Sequence, residues 1–550
     1  MASSLAMAEY GTSSSTDSRS RRRSSKIAAF SKDKEEPLPR SSNSTDPAED
    51  VLEALGYTPQ LARSRSTWAV TFMSFVLASV PYGISTTLIY PLTNGGPATM
   101  IWGWVLVCMF MICVAASLGE ITSVYPVSGG VYYQTYMLAP PWCRKLTAWL
   151  TGWAFVLGNI IITLSVNFAT ALFLIGCINI FTDADGVSIF PATAWQTYLI
   201  FVAVTLICTA VSTFGNRWLP LLDTGAVIMT FVGVLAIICT ILAVAKEGRN
   251  SAAYAFGGFE VSSGWSPPGW AFCIGLLHAA YATSATGMVV SMCEEVQKPA
   301  TQVPKALVGA IVLNMICGII FLVPICFVLK DIAAVVADQS GQPVPAIIRS
   351  AVGSEVGAFI LCVPLIMLGF FCGIGCCTAA SRCTWAFARD GALPGSRRLG
   401  FDRVNDKTGI PLNSMLLSTA IQVVLGVIYV GNSAAFNAFN SSGVIFLTLS
   451  YVTPVAISLF SGRKSIKQGK FDLGWVGAFC NVVSIGWCLF AIPLFSMPSA
   501  LPVDAESMNY CSVVFVGGLT ISFVWYYAGG RKNYNGPTMD DAEGGAPPRI

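Results

Sequence analysis

Long apolar stretches separated by short polar segments dominate the sequence from residue 66 onward. Residues 66–119 form a run of 54 without a charged side chain, and residues 408–462 form another of 55. A helix that crosses about 30 Å of hydrocarbon needs about 20 apolar residues, because each residue advances it by about 1.5 Å. Each run therefore has room for two membrane-spanning helices.

The complete pattern predicts twelve spans. We place them near residues 68–92, 98–118, 146–176, 192–213, 219–245, 268–292, 304–329, 356–386, 409–430, 438–460, 474–496 and 508–528. Lipid admits only helices or closed barrels, and the sequence lacks the alternating ten-residue strands of a barrel. We therefore predict an all-α polytopic membrane protein. Composition agrees, since 54% of residues are hydrophobic and 11% charged, against about 25% charged in soluble domains.

The positions of Lys and Arg predict the orientation, because these residues stay on the cytoplasmic side. If the N-terminus is inside, the inward connections hold 15 of them and the outward connections hold Lys246, Arg249, Lys330 and Arg349. This bias favours an even number of spans with both tails in the cytoplasm. No apolar stretch stands at the N-terminus, so we expect the first span to direct insertion rather than a cleaved signal peptide.

Three regions follow from this pattern: a tail over residues 1–65, a twelve-helix transporter domain over 66–530 and a cytoplasmic C-terminal tail over 531–550. The first tail is rich in Ser and Arg and too poor in apolar residues to fold alone, so we predict that it is disordered and cytoplasmic. Its basic run, residues 19–26, is a candidate for binding anionic lipid or, through its serines, for phosphorylation. The alternative is a solvated tail without either role.

The residues that would carry catalysis or metal binding are scarce. The chain has 18 cysteines, mostly single within apolar spans, and one histidine. The densest group is Cys372, Cys376 and Cys377, with no acid nearby. Buried cysteines of this kind behave as small hydrophobes. We expect no metal, no cofactor, no nucleic-acid partner and no enzymatic activity.

Span 1 contains helix-breaking residues in the middle of its apolar pattern. Pro81 has no amide proton for the carbonyl of Leu77, and Gly83 adds backbone freedom. A break at this depth is costly unless it lines a cavity, where free amides and carbonyls meet a ligand. Residues 82–85 are therefore a candidate binding site. An ordinary proline kink is the alternative.

Span 6 is interrupted in a comparable place by small polar residues from Thr283 to Gly287. Interrupted spans at corresponding places in two halves are typical of carriers built from inverted repeats. Since these two spans are five apart, we infer a core of five plus five helices with broken helices 1 and 6, followed by two further helices.

His278 lies in span 6 about one turn before the polar segment. An ionisable residue inside a membrane is a functional candidate, and imidazole titrates near neutral pH. We consider a proton relay and, as the alternative, a neutral histidine that donates to a backbone carbonyl.

Acidic residues stand where spans 2 and 6 meet the cytoplasm. Glu120 ends span 2, and Glu294 and Glu295 end span 6, near Lys298 and Lys305. Acid beside base at these helix ends suggests a cytoplasmic gate whose pairs break during transport. Ordinary interfacial charge, which contributes less than about 1 kcal/mol per exposed pair, is the alternative.

Three motifs carry a family resemblance. They are SLGEITSVYPVSGGVYYQTYMLAPPW after span 2, MCEEVQKPATQVPKA after span 6 and ASRCTWAFARDGALP between spans 8 and 9. In this order and spacing they resemble the amino acid/polyamine/organocation transporter superfamily and, with FGNRWLP before span 5, its fungal amino acid/choline transporter family. The resemblance covers roughly residues 55–530.

This resemblance implies a carrier whose spans 1 and 6 unwind at their centres and hold the amine and carboxylate of the substrate. The positions that match are Tyr82, Gly83, Ile84, Ser85, Tyr281, Ala282, Thr283, Ser284, Thr286 and Gly287. Some members carry an aspartate in this part of span 6, whereas here the segment reads YATSATGM. Recognition by carbonyl dipoles, hydroxyls and aromatic faces is therefore favoured. For a quaternary ammonium, the aromatic candidates are Tyr82, Tyr281 and Trp153.

The expected function is secondary active transport of amino acids or small amines such as γ-aminobutyrate or choline by alternating access. The resemblance implies coupling to protons and favours the plasma membrane over the vacuolar membrane. Besides the bilayer, the expected partners are a small-molecule substrate and protons. A carrier specific for choline or polyamines and a sensor that binds an amino acid without moving it remain alternatives.

Overall fold

The structure is a computed structural model that describes residues 52, 55, 57, 60, 61, 63, 65–183, 187–337, 342–405, 407–432, 434–504, 507–534 and 536–537. The chain divides into two units, Met1–Pro47 and Ala48–Ile550. Everything described here belongs to the second unit. The basic run predicted at residues 19–26 lies outside the described residues.

Twelve helices in the described part of the chain are long and apolar enough to cross a membrane, which confirms the predicted number. They are Thr67–Thr87, Gly96–Val124, Arg144–Ile178, Ala194–Phe214, Asn216–Val244, Pro268–Glu295, Pro299–Val328, Glu355–Arg389, Leu412–Gly431, Phe436–Phe460, Gly474–Leu494 and Cys511–Asn533. We number them spans 1 to 12. In the same residues, β-structure is limited to four isolated bridges, and the all-α prediction is confirmed.

Spans 3 and 8 are the longest helices of the bundle. Each has 35 residues, or about 52 Å of helix, so each projects well beyond about 30 Å of hydrocarbon. They pack against each other, and span 3 also packs on span 10. Spans 1 to 4 each contact the span five positions later. Two halves related by symmetry would give this pairing, and the inverted repeat itself stays a prediction.

Short helices occupy the connections at both ends of the bundle. They are Gly130–Leu138, Ala252–Gly257, Ile332–Val336, Pro343–Val352 and Ser396–Leu399. Spans 2, 6 and 8 all finish at one end of the bundle. We call it the basic end, since it holds Arg65, Arg382 and Arg389. The other end, which holds Tyr90 and Arg349, is the opposite end.

The folded domain extends past both predicted boundaries. Before span 1, the side chains of Leu52, Leu55, Tyr57 and Leu61 are buried, so these four residues of the predicted disordered tail are packed. Their apolar side chains, spaced two to four residues apart, explain the difference. At the other terminus, Tyr534 is buried and its ring lies 5.2 Å from that of Trp149 in span 3.

Candidate functional site between spans 1 and 6

Span 1 is interrupted at Ser79. The helix Thr67–Ala78 ends there, the backbone of Ser79 adopts the left-handed conformation with φ 39° and ψ 54°, and a second helix runs over Val80–Thr87. Pro81 lies in the first turn of this second helix, where its missing amide and fixed φ are tolerated. The break therefore precedes Pro81, and the predicted site residues 82–85 are helical rather than unwound.

Hydrogen bonds in both directions join this break to span 8. The thiol of Cys372 donates to the Leu77 carbonyl at 3.3 Å, and the hydroxyl of Ser79 donates to the Leu368 carbonyl at 3.4 Å. The Leu77 carbonyl is the group that Pro81 leaves without an amide partner, as the sequence indicates. A buried carbonyl without a partner is costly, so these contacts anchor the break to span 8.

Span 6 changes its helix type at the polar segment. It runs as Pro268–Gly275 and Leu277–Ser284 in α-helical form and continues as a 3₁₀-helix over Ala285–Glu295. Runs of 3₁₀-helix beyond three or four residues are uncommon, and a stretch within a helix often marks a functional hinge. The predicted interruption from Thr283 to Gly287 is therefore a change of helix type rather than a break, because Ser284 and Ala285 keep helical backbone angles.

Spans 1 and 6 touch at a glycine. A Cβ atom built on Gly83 would lie 3.1 Å from the Cβ of Ala282 and 3.2 Å from the Ala78 carbonyl oxygen. Towards the basic end, the Ser74 hydroxyl approaches the Thr286 carbonyl at 3.5 Å. The structure thus brings the predicted residues of span 1 and span 6 together through backbone and small side chains.

Tyrosines surround this contact, and the hydroxyl of Tyr82 points to span 3. It donates to the Val166 carbonyl at 2.8 Å and lies 2.7 Å from the Thr170 hydroxyl. Gly369 of span 8 lies under the Tyr82 ring, since a Cβ there would be 2.8 Å from a ring carbon.

On the span 6 side, the Ser165 hydroxyl of span 3 lies 3.2 Å from the hydroxyl of Tyr281. Tyr451 of span 10 donates its hydroxyl to the Ser284 carbonyl at 3.2 Å, and its ring covers Gly287. Spans 3, 8 and 10 therefore enclose the junction of spans 1 and 6.

The remaining predicted site residues are also buried at this junction. The hydroxyls of Ser85, Thr283 and Ser284 donate hydrogen bonds to backbone carbonyls of their own helices. Ile84 has no exposed surface. The Thr286 hydroxyl is buried and has no hydrogen-bond partner among the described residues.

A chain of polar side chains leads from Tyr281 towards the opposite end. Ser165 donates to the Oδ1 of Asn440, the amide of Asn440 contacts the Tyr90 hydroxyl at 3.5 Å, and Tyr90 donates to Asn437 at 2.8 Å. Sequence reasoning missed Ser165, Asn440 and Tyr451. The available signal was a polar residue inside an apolar span, as in the NSSG stretch of span 10.

His278 is buried in span 6 and bonded within its own helix. Its Nδ1 lies 2.7 Å from the Gly275 carbonyl, so this nitrogen carries a proton and donates it. The ring lies 6.4 Å from the ring of Trp104 in span 2. This contact matches the alternative of a neutral, structural histidine, and the proton relay stays a prediction.

A buried ion network closes the basic end around Glu295. One carboxylate oxygen accepts from Nε of Arg382 at 2.8 Å and the other accepts from Nε of Arg65 at 3.0 Å, while Arg65 also reaches Asp223 at 3.4 Å. The exposed fraction of these four side chains is 9% or less. The network ties the segment before span 1 to spans 5, 6 and 8.

Glu294 forms a second ion pair at the basic end, with Arg389 of span 8. It accepts two hydrogen bonds from the guanidinium of Arg389, at 3.1 and 3.3 Å, and one from the Ser128 amide at 3.2 Å. The sequence pointed to Lys298 and Lys305 as basic partners. The partners are arginines instead, because span 8 ends against span 6, and an arginine fork matches a carboxylate better than an ammonium does.

Glu120 belongs to a separate contact. It accepts from Arg463 at 2.9 Å and from the Leu473 amide at 2.8 Å, both in the connection between spans 10 and 11. The three acids predicted to form one gate therefore occupy two places: Glu294 and Glu295 lie with span 8, and Glu120 lies with the connection between spans 10 and 11.

Trp153 lies apart from the tyrosines. Its ring packs on Trp149 at 6.0 Å and on Phe387 at 5.7 Å. Tyr82 instead bonds to Val166, which is 13 residues further along span 3 and thus about 20 Å along the helix axis. The structure does not bring Trp153 to the predicted site.

Comparison with known proteins identifies the family of this architecture. A model of the amino acid permease family matches residues 66–519. The chain belongs to the amino acid permease family. This family falls within the amino acid/polyamine/organocation superfamily, as the motifs indicated. Its relatives include transporters that are named for different substrates.

Three relatives illustrate this range. A choline transporter of Saccharomyces cerevisiae is 31% identical over 86% of this chain and 83% of its own length. An amino-acid permease of Arabidopsis thaliana is 29% identical over 88% and 95%. A polyamine transporter of Saccharomyces cerevisiae is 27% identical over 90% and 80%. This member of the family is an integral membrane protein and a permease for amino acids or small amines, which is a class of transporters and not of enzymes.

Proposed function

We propose that this permease is a proton-coupled carrier that binds one small amine or amino acid between the halves of spans 1 and 6. The observation that supports it is the contact at Gly83 and Ala282, deep inside the bundle, between span 1, which is interrupted at Ser79, and span 6, which changes to a 3₁₀-helix after Ser284. Helix ends at such a junction offer partial charges of both signs to a ligand. The ten predicted binding residues, from Tyr82 to Gly287, belong to this proposal.

Charge narrows the class of substrate. All acidic residues within the twelve spans stand near span ends: Glu120, Asp223, Glu294, Glu295 and Glu355. A polyamine brings several positive charges, which are expensive to bury without partner carboxylates. A zwitterion or a singly charged ammonium needs only dipoles and aromatic faces. We therefore favour an amino acid, γ-aminobutyrate or choline over a polyamine.

Choline is supported by the tyrosines and by one relative. Tyr82, Tyr281 and Tyr451 contribute three aromatic rings around the junction, and each ring attracts a cation by about 0.5 to 2 kcal/mol. The choline transporter of Saccharomyces cerevisiae matches over most of both chains. The non-transporting sensor remains the second candidate, since it would use the same binding residues.

The buried ion network is the proposed gate of the cytoplasmic side. Glu295 and Glu294 bind Arg382 and Arg389 of span 8, and Arg65 joins them from the segment before span 1. Release towards the basic end would require these contacts to separate. The excess of Lys and Arg at this end supports its placement in the cytoplasm, and we propose the plasma membrane as the location.

Uptake by the purified full-length chain in liposomes tests this function. The assay compares radiolabelled γ-aminobutyrate, common amino acids, choline and a polyamine, each with an imposed pH gradient, with a sodium gradient and with a protonophore. We expect uptake of a zwitterion or of choline that follows the pH gradient, collapses with the protonophore and ignores sodium. Saturable binding without uptake would identify a sensor, and sodium-driven uptake would contradict proton coupling.

A further inference from the structure

Asp390 is a buried carboxylate at the basic end that the proposed gate does not use. It follows span 8 directly, and 5% of its surface is exposed. Its two oxygens each accept from the Tyr57 hydroxyl at 3.1 Å, and Oδ2 also accepts from the Tyr132 hydroxyl at 2.8 Å. Its hydrogen-bond donors are thus tyrosines, while the neighbouring Arg389 is directed to Glu294.

Tyr57 belongs to a set of five described residues before span 1, Leu52, Leu55, Tyr57, Leu61 and Arg65, which we call the N-terminal strap. All five side chains are buried. The strap lies over the end of span 8, because Leu61 packs with Trp385 and Ala386 and the Arg389 guanidinium lies 4.0 Å from the centre of the Tyr57 ring.

Two further contacts hold the strap in place. The Tyr133 hydroxyl donates to the Leu55 carbonyl at 3.2 Å. At the end of the strap, the Arg65 amide donates to the Glu295 carbonyl and the Gln297 amide donates to the Arg65 carbonyl, at 3.1 and 3.2 Å. Span 1 begins two residues after Arg65. A movement of its first half away from spans 6 and 8 would therefore pull on the strap.

The groups around Asp390 come from every element packed on it. They are Tyr57 of the strap, Tyr132 and Tyr133 of the helix Gly130–Leu138, Glu294 of span 6, Arg389 of span 8 and Tyr534 after span 12. Burial raises the pKa of the Tyr57 and Tyr132 hydroxyls well above their usual value. Both tyrosines therefore remain neutral hydrogen-bond donors at physiological pH.

Burial also raises the pKa of Asp390 to about 6, because loss of solvent outweighs the nearby Arg389 and the two tyrosine hydroxyls. With the strap detached, the carboxyl would meet water and its pKa would return towards about 3.9. The closed state then binds the proton more tightly than the open state. The stability that protonation of Asp390 adds to the closed state is complete below about pH 3.9 and is lost as the pH rises through about 6.

We propose that Asp390 and Tyr57 form a proton-sensitive latch, through which acidification on the basic side of the membrane holds the N-terminal strap closed and opposes opening at that end. On opening, the Asp390 carboxyl gives its proton to water on that side. The latch adds regulation to the proposed carrier and rests on it for its physiological meaning. Its closure is measurable without any substrate.

Hydrogen exchange of the purified full-length protein in lipid nanodiscs tests the latch. Peptides covering residues 52–65 are followed at pH 7.5 and pH 5.5, with correction for intrinsic exchange rates. We expect roughly fourfold slower exchange at pH 5.5, from a carboxyl that titrates near pH 6 when closed and near 3.9 when open. Equal corrected rates at the two pH values would overturn the proposal.

Three variants assign the effect. Asp390→Asn imitates the protonated carboxyl and should give slow exchange at both pH values. Tyr57→Phe removes a donor that favours the ionised carboxyl, so exchange at pH 7.5 should be faster than in the wild type and the pH dependence should be larger. Asp331→Asn changes an exposed acid at the opposite end and should keep the wild-type pH dependence. Wild-type pH dependence in Asp390→Asn would refute the latch, provided that peptides from span 3 show unchanged protection and hence an intact fold.

This readout separates the latch from the transport proposal. If uptake fails for every substrate while residues 52–65 respond to pH through Asp390, the latch stands and the carrier function falls. If uptake succeeds and the exchange ignores pH, the latch falls alone.

Discussion

Gly83 of span 1 lies against Ala282 of span 6 so closely that a methyl group on the glycine would be 3.1 Å from the alanine Cβ. The same methyl group would be 3.2 Å from the Ala78 carbonyl oxygen. Span 1 is interrupted nearby at Ser79, and span 6 passes from α-helix to 3₁₀-helix after Ser284. The contact therefore sets the distance between the two spans at these points, and through it the width of the proposed site.

A larger side chain at Gly83 should disrupt transport. We expect Gly83→Val to reduce uptake into liposomes at least about tenfold, because displacements near 1 Å at a binding site are worth about a hundredfold in rate. Gly309→Val is the matched control, since a Cβ at Gly309 of span 7 meets nothing within 4 Å. Uptake by Gly83→Val equal to that of the control would separate this contact from the site.

Tyr281 should contribute to binding of a cationic substrate. Tyr281→Leu removes one aromatic face worth about 0.5 to 2 kcal/mol, so the KM for choline should rise about 2- to 30-fold. Tyr527→Leu, which changes a tyrosine that is 54% exposed in span 12, should leave the KM unchanged. An unchanged KM in both variants would exclude Tyr281 as a cation-binding ring.

Glu295 should be a major contributor to the stability of the basic end. Glu295→Gln leaves Arg65 and Arg382 buried without a carboxylate between them, and such a loss costs about 3 to 5 kcal/mol. Glu355→Gln is the control, because its pair with Arg349 is half-exposed and such pairs contribute about 1 kcal/mol or less. Denaturant unfolding in detergent measures both. Equal losses would show that burial of the Glu295 network brings no added stability.

His278→Gln should keep the pH dependence of uptake. The glutamine amide can still donate to the Gly275 carbonyl, which is the contact that the histidine makes. His278→Leu should lower stability by about 1 kcal/mol through loss of this bond, again without moving the pH profile. A shifted profile in both variants, at unchanged expression, would instead assign His278 to the proton pathway.

The spans were predictable from sequence because hydrocarbon thickness fixes the length of each apolar segment. The break in span 1 was predictable only approximately. Pro81 removes one amide, yet the chain relieves this at Ser79, where the Cys372 thiol of span 8 satisfies the Leu77 carbonyl. The sequence does not reveal which neighbouring span supplies the hydrogen-bond donor for this carbonyl, because that depends on packing between segments far apart in the chain.

The ion pairs were the least predictable part of the structure. Sequence proximity suggested Lys298 and Lys305 as partners for the acids of span 6. The partners, Arg65 and Arg382, are 230 and 87 residues from Glu295, and they meet it only because spans 1, 6 and 8 converge at the basic end. The buried strap before span 1 was missed for the same reason. Its few apolar residues could not form a core alone, but they are buried against the end of span 8 and the helix Gly130–Leu138.

A structure of the purified protein with its transported substrate bound is the sharpest test of the proposed site. We predict that the ammonium group lies between Ser79–Gly83 of span 1 and Tyr281–Ser284 of span 6, beside the rings of Tyr82 and Tyr281. A substrate bound elsewhere, with Gly83 still packed on Ala282, would contradict it.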